Sequence, residues 1–471
     1  MNFLSFEFVA VFSAFLLIYW LPFKAVQLRN SMLTVASYGF IALFNIQFAL
    51  ILLGYSLFIY GLAHHCDRFL RPRSIYTLLA TSIVSLFVLF KYYAFFQESI
   101  QAALVSAGLQ IDLPILSLLL PVGLSYYSFH SVSYVVSVQR KELPKASFNE
   151  LMLYLCFFPS IVAGPINRAS HFIPQIQDSQ RSLLEPKRAL FLITLAILKL
   201  FLFSAWLAEN MVDPVFSDPS GHSAGKNLLA AYAYAWNIYF NFSGYTDLVT
   251  GIALFLGFRL PVNFNAPYLA ANLKEFWARW HISLSTFIRD YLYIPLGGGR
   301  KGWLRVQINV LLAMVISGLW HGAATTFVIW GALHGLGVIA LNLKELVLPA
   351  RSSCPPVIAW IYRHLARLIC FHFVCLAWIF FRSDSLANAL LMLQQIGDVQ
   401  FAGVFEYYPY ELLAVALLFF TYPLLVNFTE RLQVRSQKVG WWYYPVVLAL
   451  VLSLAFSLSP DGMPNFIYAS F

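Results

Sequence analysis

The sequence predicts an all-α polytopic membrane protein, and three observations predict it. Sixty per cent of the residues are hydrophobic and only 11% are charged, with a mean hydropathy of +0.72. A soluble domain needs far more charge to cover its surface. Apolar runs recur at the length that crosses a bilayer, about 20 residues. Between them, Lys and Arg gather in short stretches, the pattern that sets the orientation of membrane helices.

The runs lie near 7–23, 31–63, 76–97, 113–138, 149–165, 187–209, 227–257, 305–343, 357–381, 409–428 and 441–458. They predict about eleven transmembrane helices, plus re-entrant and interfacial pieces, at about 20 residues per crossing. The opening stretch, MNFLSFEFVAVFSAFLLIYWLPFK, has no basic n-region and no A-x-A site, so it is expected to be a retained first span. The 31–63 run is too long for one crossing and is expected to bend near Asn45. All 471 residues are read as one membrane domain, with core motifs over 150–382 and two plainer C-terminal spans over 409–458.

Basic residues predict the sidedness. Lys24 and Arg29, then Arg68, Arg71 and Arg73, then Arg140, Lys141 and Lys145 mark cytoplasmic loops. So do Arg168, Arg181, Lys187 and Arg188, the stretch from Lys274 to Arg305, and Arg431, Arg435 and Lys438. Segments 98–112 and 209–225 and the tail after Ser459 carry acids and almost no Lys or Arg, which places both termini outside the cytoplasm. Loop 383–408 is expected outside as well. The pattern is consistent only if 149–165 and 305–343, each flanked by basic residues on both sides, re-enter without crossing. The turn of the second, WHGAAT, then sits deep in the protein, where irregular backbone is tolerated only around a cavity or within protein.

The same residues exclude other classes. A formal charge of +9 could suggest nucleic acid, but in a membrane protein it marks loops beside anionic lipid, so no nucleic-acid partner is expected. Cys66, Cys156, Cys354, Cys370 and Cys375 form no disulfide framework. HHCD at 64–67 lacks a second ligand pair at zinc spacing, so no metal is expected. There is no GxSxG and no H-E-x-x-H.

Three stretches could carry chemistry. VISGLWHG ends an apolar run on His321, beside Trp320, and an imidazole at membrane depth needs a pocket or a partner. His130, His334 and His372 also fall in apolar runs, so position alone does not single out His321. His334, in WGALHG, is placed to support the same pocket. In NLKEFWARWHISLSTFIRDYLYIPLGGGRKG, Glu275 and Arg279 are spaced for an i,i+4 pair. Trp277, His281, Leu284 and Ile288 share the other face of an amphipathic interfacial helix. PLGGGRKG could cradle a phosphate with Arg300 and Lys301, although a tight turn at a helix end fits it better. YFNFSGYTDLVTG puts Asn241 and Asp247 inside a span; such an acid is a functional candidate, and helix-packing glue is the structural alternative. Physics alone thus gives a buried polar pocket near Trp320–Gly322 and leaves transporter and intramembrane enzyme both open.

Taken together, FFPSIVAGPINR, YFNFSGYTDLVTG, NFNAPYLAANLKEFWARWHISLSTFIRDYLYIPLGGGR and SGLWHGAATTFVIWGALHG resemble the membrane-bound O-acyltransferase (MBOAT) family. The nearest branch is the alginate and polysaccharide O-acetylation type, and the resemblance runs from Met1 to WIFFR at Trp378–Arg382. It implies a central tunnel, catalysis by His321 of the WHG block and a second activity-linked histidine, His281. It also implies acetyl-CoA as donor from the cytoplasm, no bound cofactor, residence in the cell inner membrane and an exported acetyltransferase or polysaccharide-modifying partner. The sequence departs from the family pattern at Asn241, where Asp is usual, and at Ser137 and Gln139, where Asp and Tyr are usual.

On this reading His321 is the general base, oriented by Asn241, Asp247 or His334, while His281 positions the donor at the cytoplasmic mouth. Arg300, Lys301 and Arg305 would meet the coenzyme A phosphates. A polysaccharide or ion transporter is the competing class, but transporters show repeated halves and neither the WHG nor the RWH block recurs. A non-catalytic scaffold of a secretion complex is the third.

Overall fold

A computed structural model describes residues 3–21, 25–65, 69–109, 111–114, 119–347, 355–399, 404, 407–458 and 467. Among them the chain is helical, with no strand. Among the described residues seven helices are long and apolar enough to cross a membrane: Ile46–His64, Pro72–Tyr92, Pro186–Ser217, Trp303–His321, Thr325–Val347, Pro356–Arg382 and Pro409–Ser436. Shorter apolar helices occupy Phe6–Tyr19, Phe148–Val162 and Tyr443–Leu458, so the figure of about eleven remains an expectation. Leu17, Val35, Leu57, Ile369 and Leu424 face outward while Asn30, Ser37, Ser56 and Asn237 are buried. That inversion is costly in water and natural in lipid, and it marks a multi-pass membrane protein. The chain forms two compact units, one of Met1–Pro186 with Ile252–Pro261 and one of Lys187–Gly251 with Val262–Phe471.

The first unit holds α1 (Phe6–Tyr19), α2 (Val26–Ala42), α3 (Ile46–His64), α4 (Pro72–Phe87), α5 (Tyr93–Ser106), α6 (Leu124–Gln139), α7 (Phe148–Cys156), α8 (Phe158–Ala163) and α9 (Ala169–Gln177). The expected bend near Asn45 is a helix boundary. Asn45 is extended and its Oδ1 accepts from the Gln47 N–H at 2.8 Å, capping α3. The 149–165 run breaks at Phe157, leaving α7 with 9 residues and α8 with 6. At 1.5 Å per residue these are about 14 and 9 Å long, too short to cross.

Arg181, one of the basic residues that mark a cytoplasmic loop by charge, is buried. It donates to the carbonyls of Gln175 and Ile176, to Asn30 Oδ1 at 2.9 Å and to Tyr19 Oη at 3.1 Å. Its guanidinium lies 4.4 Å from the Phe258 ring centre. A buried cation persists only with its donors satisfied, and these acceptors satisfy it. Cys66 and Asp67 of HHCD, together with Lys24, Arg68 and Cys354, lie outside the described residues.

The second unit begins with α10 (Pro186–Ile197), which continues through π-helical turns at Leu198–Ala205 and Ala208–Val212 into α11 (Asp213–Ser217). It then holds α12 (Ala224–Phe255), α13 (Leu273–Trp277), α14 (Ile282–Ile288), a π turn at Arg289–Tyr293, α15 (Trp303–His321), α16 (Thr325–Val347), α17 (Pro356–Arg382), α18 (Leu386–Gly397), α19 (Pro409–Ser436) and α20 (Tyr443–Leu458). The last turn of α12 falls in the first unit. A polar seam pins the first π segment to α12: Lys199 Nζ meets Asp247 Oδ2 at 2.6 Å, and Asn237 and Asn241 donate to Ser204. Gly244 lets the backbones close, since a Cβ there would lie 2.9 Å from Leu200 Cγ.

The 305–343 run is a helical hairpin whose two helices meet at the WHGAAT turn. Its arms, α15 and α16, have 19 and 23 residues, or about 28 and 34 Å at 1.5 Å per residue, each enough for a full crossing. Glycines four apart bring the arms together. A Cβ on Gly318 would lie 2.1 Å from the Phe327 carbonyl oxygen, and one on Gly331 2.4 Å from that of Met314.

Candidate active site

His321 is the last residue of α15, and the hairpin geometry fixes its surroundings. Gly322 follows in extended conformation, and a Cβ on it would sit 1.9 Å from Cε2 of Phe327, so only glycine allows α16 to start this close. His321 is 2% exposed. Its ring centre lies 4.5 Å from that of Trp320, 5.1 Å from Trp330 and 5.1 Å from Phe381. Rings from α15, α16 and α17 thus enclose the imidazole.

His281 sits where the 272–302 segment breaks. The expected continuous interfacial helix is two short ones, and His281 between them adopts φ 42° and ψ 54°. The stripe Trp277, His281, Leu284, Ile288 therefore does not lie on one helix. The cause is upstream: Asn263 accepts the Ile282 N–H on its carbonyl and the Ser283 hydroxyl on its Oδ1 at 2.6 Å, which diverts the backbone. The Glu275–Arg279 pair forms as expected, at 2.9 Å, and the Arg279 carbonyl accepts from the Asn265 N–H. A left-handed conformation at a non-glycine residue costs about 1 kcal/mol and recurs at functional sites. His281 is buried against Phe242 at 4.7 Å and lies 6.4 Å from the Trp320 ring. Burial pushes its imidazole down to about 3, so it is neutral at physiological pH.

Trp320 therefore stands between the two histidines of the WHG and RWH blocks. His334 lies one ring further out. Trp330 packs against it at 5.0 Å and against His321 at 5.1 Å, and neither His334 ring nitrogen has a hydrogen-bond partner among the described residues. The other expected orienting groups are engaged elsewhere. Asn241 donates to Ser204 Oγ at 3.2 Å and accepts the Ile467 N–H at 3.0 Å, while the Asp247 carboxylate is held by Lys199. Arg300 and Lys301 are exposed in the glycine-rich turn, and Arg305 is half-buried with its Nη2 toward the Leu296 carbonyl. Asn309 donates to the Leu296 and Gly298 carbonyls, so PLGGGRKG is built as a turn at the start of α15.

Four participants were not singled out from sequence. Trp330 stands four residues before His334, a spacing that puts both on one helix face, but tryptophan in an aromatic-rich chain draws no notice. Phe381 and Phe242 are plain core residues by type. Lys199 was visible as a cation inside an apolar run, a signal that pointed to Asp247 as its partner. Among the described residues no cluster of His, Cys, Asp and Glu could hold a metal ion.

Comparison with known proteins bears on what this enclosure does. The profile of the MBOAT, membrane-bound O-acyltransferase family, matches residues 69–383. A Helicobacter pylori protein named peptidoglycan O-acetyltransferase is 33% identical over 413 residues, covering 79% of this chain and 74% of the relative. A Pseudomonas aeruginosa protein named "Probable alginate O-acetylase AlgI" is 34% identical over 370 residues, 77% of this chain and 69% of its own. The Bacillus subtilis teichoic acid D-alanyltransferase is 30% identical over 277 residues, 55% of this chain and 68% of its own. The profile match takes in both histidine blocks and the Trp330–Phe381 shell around them, and the chain is a membrane-bound O-acyltransferase of the MBOAT family.

Proposed function

We propose that this acyltransferase moves an acetyl group from cytoplasmic acetyl-CoA to hydroxyls of an exocellular polysaccharide of the alginate, cellulose or peptidoglycan type, directly or through an exported partner. The names of its relatives support a polysaccharide acceptor. The proposed setting is the cell inner membrane, with both termini outside the cytoplasm. His321 carries the reading, as a buried imidazole closed in by Trp320, Trp330 and Phe381 within reach of the His281 loop.

Neutral imidazole is suited to accept the proton of an attacking hydroxyl near physiological pH. In the proposed step the acceptor oxygen bonds to the thioester carbonyl carbon as its proton passes to His321. The carbon–sulfur bond then breaks, and the departing thiolate takes that proton, leaving an ester and free coenzyme A. Enclosure by rings keeps water from competing as acceptor. His281 and its strained loop hold the donor, Trp320 lines the pocket between the histidines, and Arg300, Lys301 and Arg305 offer charge to the coenzyme phosphates across the implied tunnel.

The test is acetyl transfer from radiolabelled acetyl-CoA by the full-length protein in lipid nanodiscs, with alginate, cellulose and peptidoglycan oligosaccharides offered in turn. Labelled ester on one of them is the expected product. Label retained on acetyl-CoA with every acceptor, alongside transfer from a different acyl donor, would refute the acetyl-CoA assignment.

A further inference from the structure

We propose that Trp330 is a further catalytic residue, its indole N–H holding the carbonyl oxygen of the acyl group while His321 carries the proton. The inference rests on the reading of His321 as the base and goes beyond it by naming the group that stabilises negative charge.

Attack on a thioester pushes the carbonyl π pair onto oxygen, and that charge requires a fixed donor in a dry site. Among the described residues, rings of Trp320, Trp330 and Phe381 pack on His321. Phenylalanine has no donor, and Trp320 is only half-buried where Trp330 is fully enclosed. Trp330 meets His321 edge to face, with an interplanar angle of 89° and ring centres 5.1 Å apart, so a group bound at the imidazole is within one ring's width of the indole. Trp330 is 1% exposed, and its Nε1 has no hydrogen-bond partner among the described residues. A buried indole N–H normally finds a partner, and one left open beside the proposed base is available to a bound acyl group.

The indole is held firmly enough to serve. Trp378 stacks on it at 5.9 Å with an interplanar angle of 19°, Phe381 meets it at 5.2 Å, and Trp277 and His334 close the far side at 5.8 and 5.0 Å. Gly331 follows it at a close approach of α16 to α15, where a Cβ would lie 2.4 Å from the Met314 carbonyl oxygen. These contacts fix the ring before substrate arrives, so the donor needs no reorganisation during reaction. In the balanced step the carbonyl oxygen gains the electron pair and accepts the Trp330 N–H. His321 holds the hydroxyl proton, and collapse of the adduct returns the pair to the carbonyl as the thiolate leaves with the proton.

The experiment replaces Trp330 with 3-benzothienylalanine, which keeps the shape and puts sulfur in place of N–H, and separately makes Trp330→Phe, both in the full-length protein in nanodiscs. Turnover with acetyl-CoA is measured together with affinity for the unreactive thioether analogue of acetyl-CoA. The sulfur isostere is expected to lower kcat on the order of a hundredfold, as loss of one oxyanion donor does, with analogue affinity unchanged. A kcat within threefold of the parent overturns the proposal, as does a lowered melting temperature with unchanged kcat, which would mark the N–H as a structural water site. A His321→Ala protein that keeps full activity instead overturns the underlying reading and this proposal with it.

Discussion

Arg367 supplies the hydrogen bond that Pro423 takes away. Pro423 lies inside α19 and has no N–H to offer the carbonyl four residues back, which belongs to Phe419. The Arg367 guanidinium, from α17, donates to that carbonyl through Nη2 and to the Tyr268 carbonyl through Nε at 2.8 Å, and lies 4.1 Å from the Phe419 ring centre. The buried cation thus satisfies backbone groups that lipid cannot. Arg367→Met is expected to lower stability by about 2–4 kcal/mol, since an unsatisfied buried acceptor costs roughly 1–3 kcal/mol. In a Pro423→Ala background the restored helical N–H should recover at least about 1 kcal/mol of that loss. A double-mutant cycle on thermal unfolding in detergent reads the coupling, and strict additivity would dissociate the two residues.

The hairpin around His321 depends on glycine where space is absent. Gly318→Ala and Gly322→Ala push a methyl into the Phe327 carbonyl and ring respectively, and each is expected to cost about 1–3 kcal/mol by overpacking and to displace His321. Gly54→Ala, in α3, meets nothing within 4 Å and should be neutral or stabilising by up to about 1 kcal/mol. Folded yield by fluorescence-detected gel filtration separates the two outcomes; equal behaviour of the three variants would contradict the packing argument.

The Lys199–Asp247 pair is partly shielded, with side-chain exposures of 16% and 21%. Lys199→Met strands the carboxylate and should destabilise by roughly 3–5 kcal/mol, whereas Lys199→Met combined with Asp247→Leu should restore most of it, as apolar replacement of a buried pair often does. Melting temperatures of the two variants against the parent decide this. A double variant no better than the single one would argue that Asp247 has a duty apart from Lys199.

Backbone geometry sets what position 281 tolerates. Asparagine accepts a left-handed conformation and β-branched residues do not. His281→Asn should fold and His281→Val should not, on the same yield assay. On the proposed donor-positioning role of His281, the Asn variant should raise KM for acetyl-CoA more than it lowers kcat. A loss confined to kcat would move His281 into the chemical step.

Local signals were legible in the sequence and long-range ones were not. The bend near Asn45 was legible because its side chain acts within two residues, and the Glu275–Arg279 pair because one helical turn separates them. The break at His281 was hidden: the apolar spacing of Trp277, Leu284 and Ile288 stays helical across it, while the cause, Asn263, bonds Ser283 across 20 residues. The burial of Arg181 was not legible because charge alone says nothing of the Asn30 and Tyr19 oxygens, 151 and 162 residues away. The same holds for Arg367, whose partner carbonyl is 52 residues on. His321 emerged from its motif, but that Trp330 stands between it and His334 depends on how closely Gly318 and Gly331 let two helices pack, which no periodicity records.

On the proposed mechanism His321 carries the proton in acyl transfer. The direct measurement is acceptor-dependent release of coenzyme A from acetyl-CoA by purified full-length protein carrying His321→Gln or His321→Ala, with unchanged elution and melting temperature as the check on folding. Each variant is expected to lose at least about a hundredfold in rate, as general bases contribute roughly 10²–10⁴, while still binding acetyl-CoA. A properly folded His321→Gln protein that releases coenzyme A at the parent rate would contradict the account.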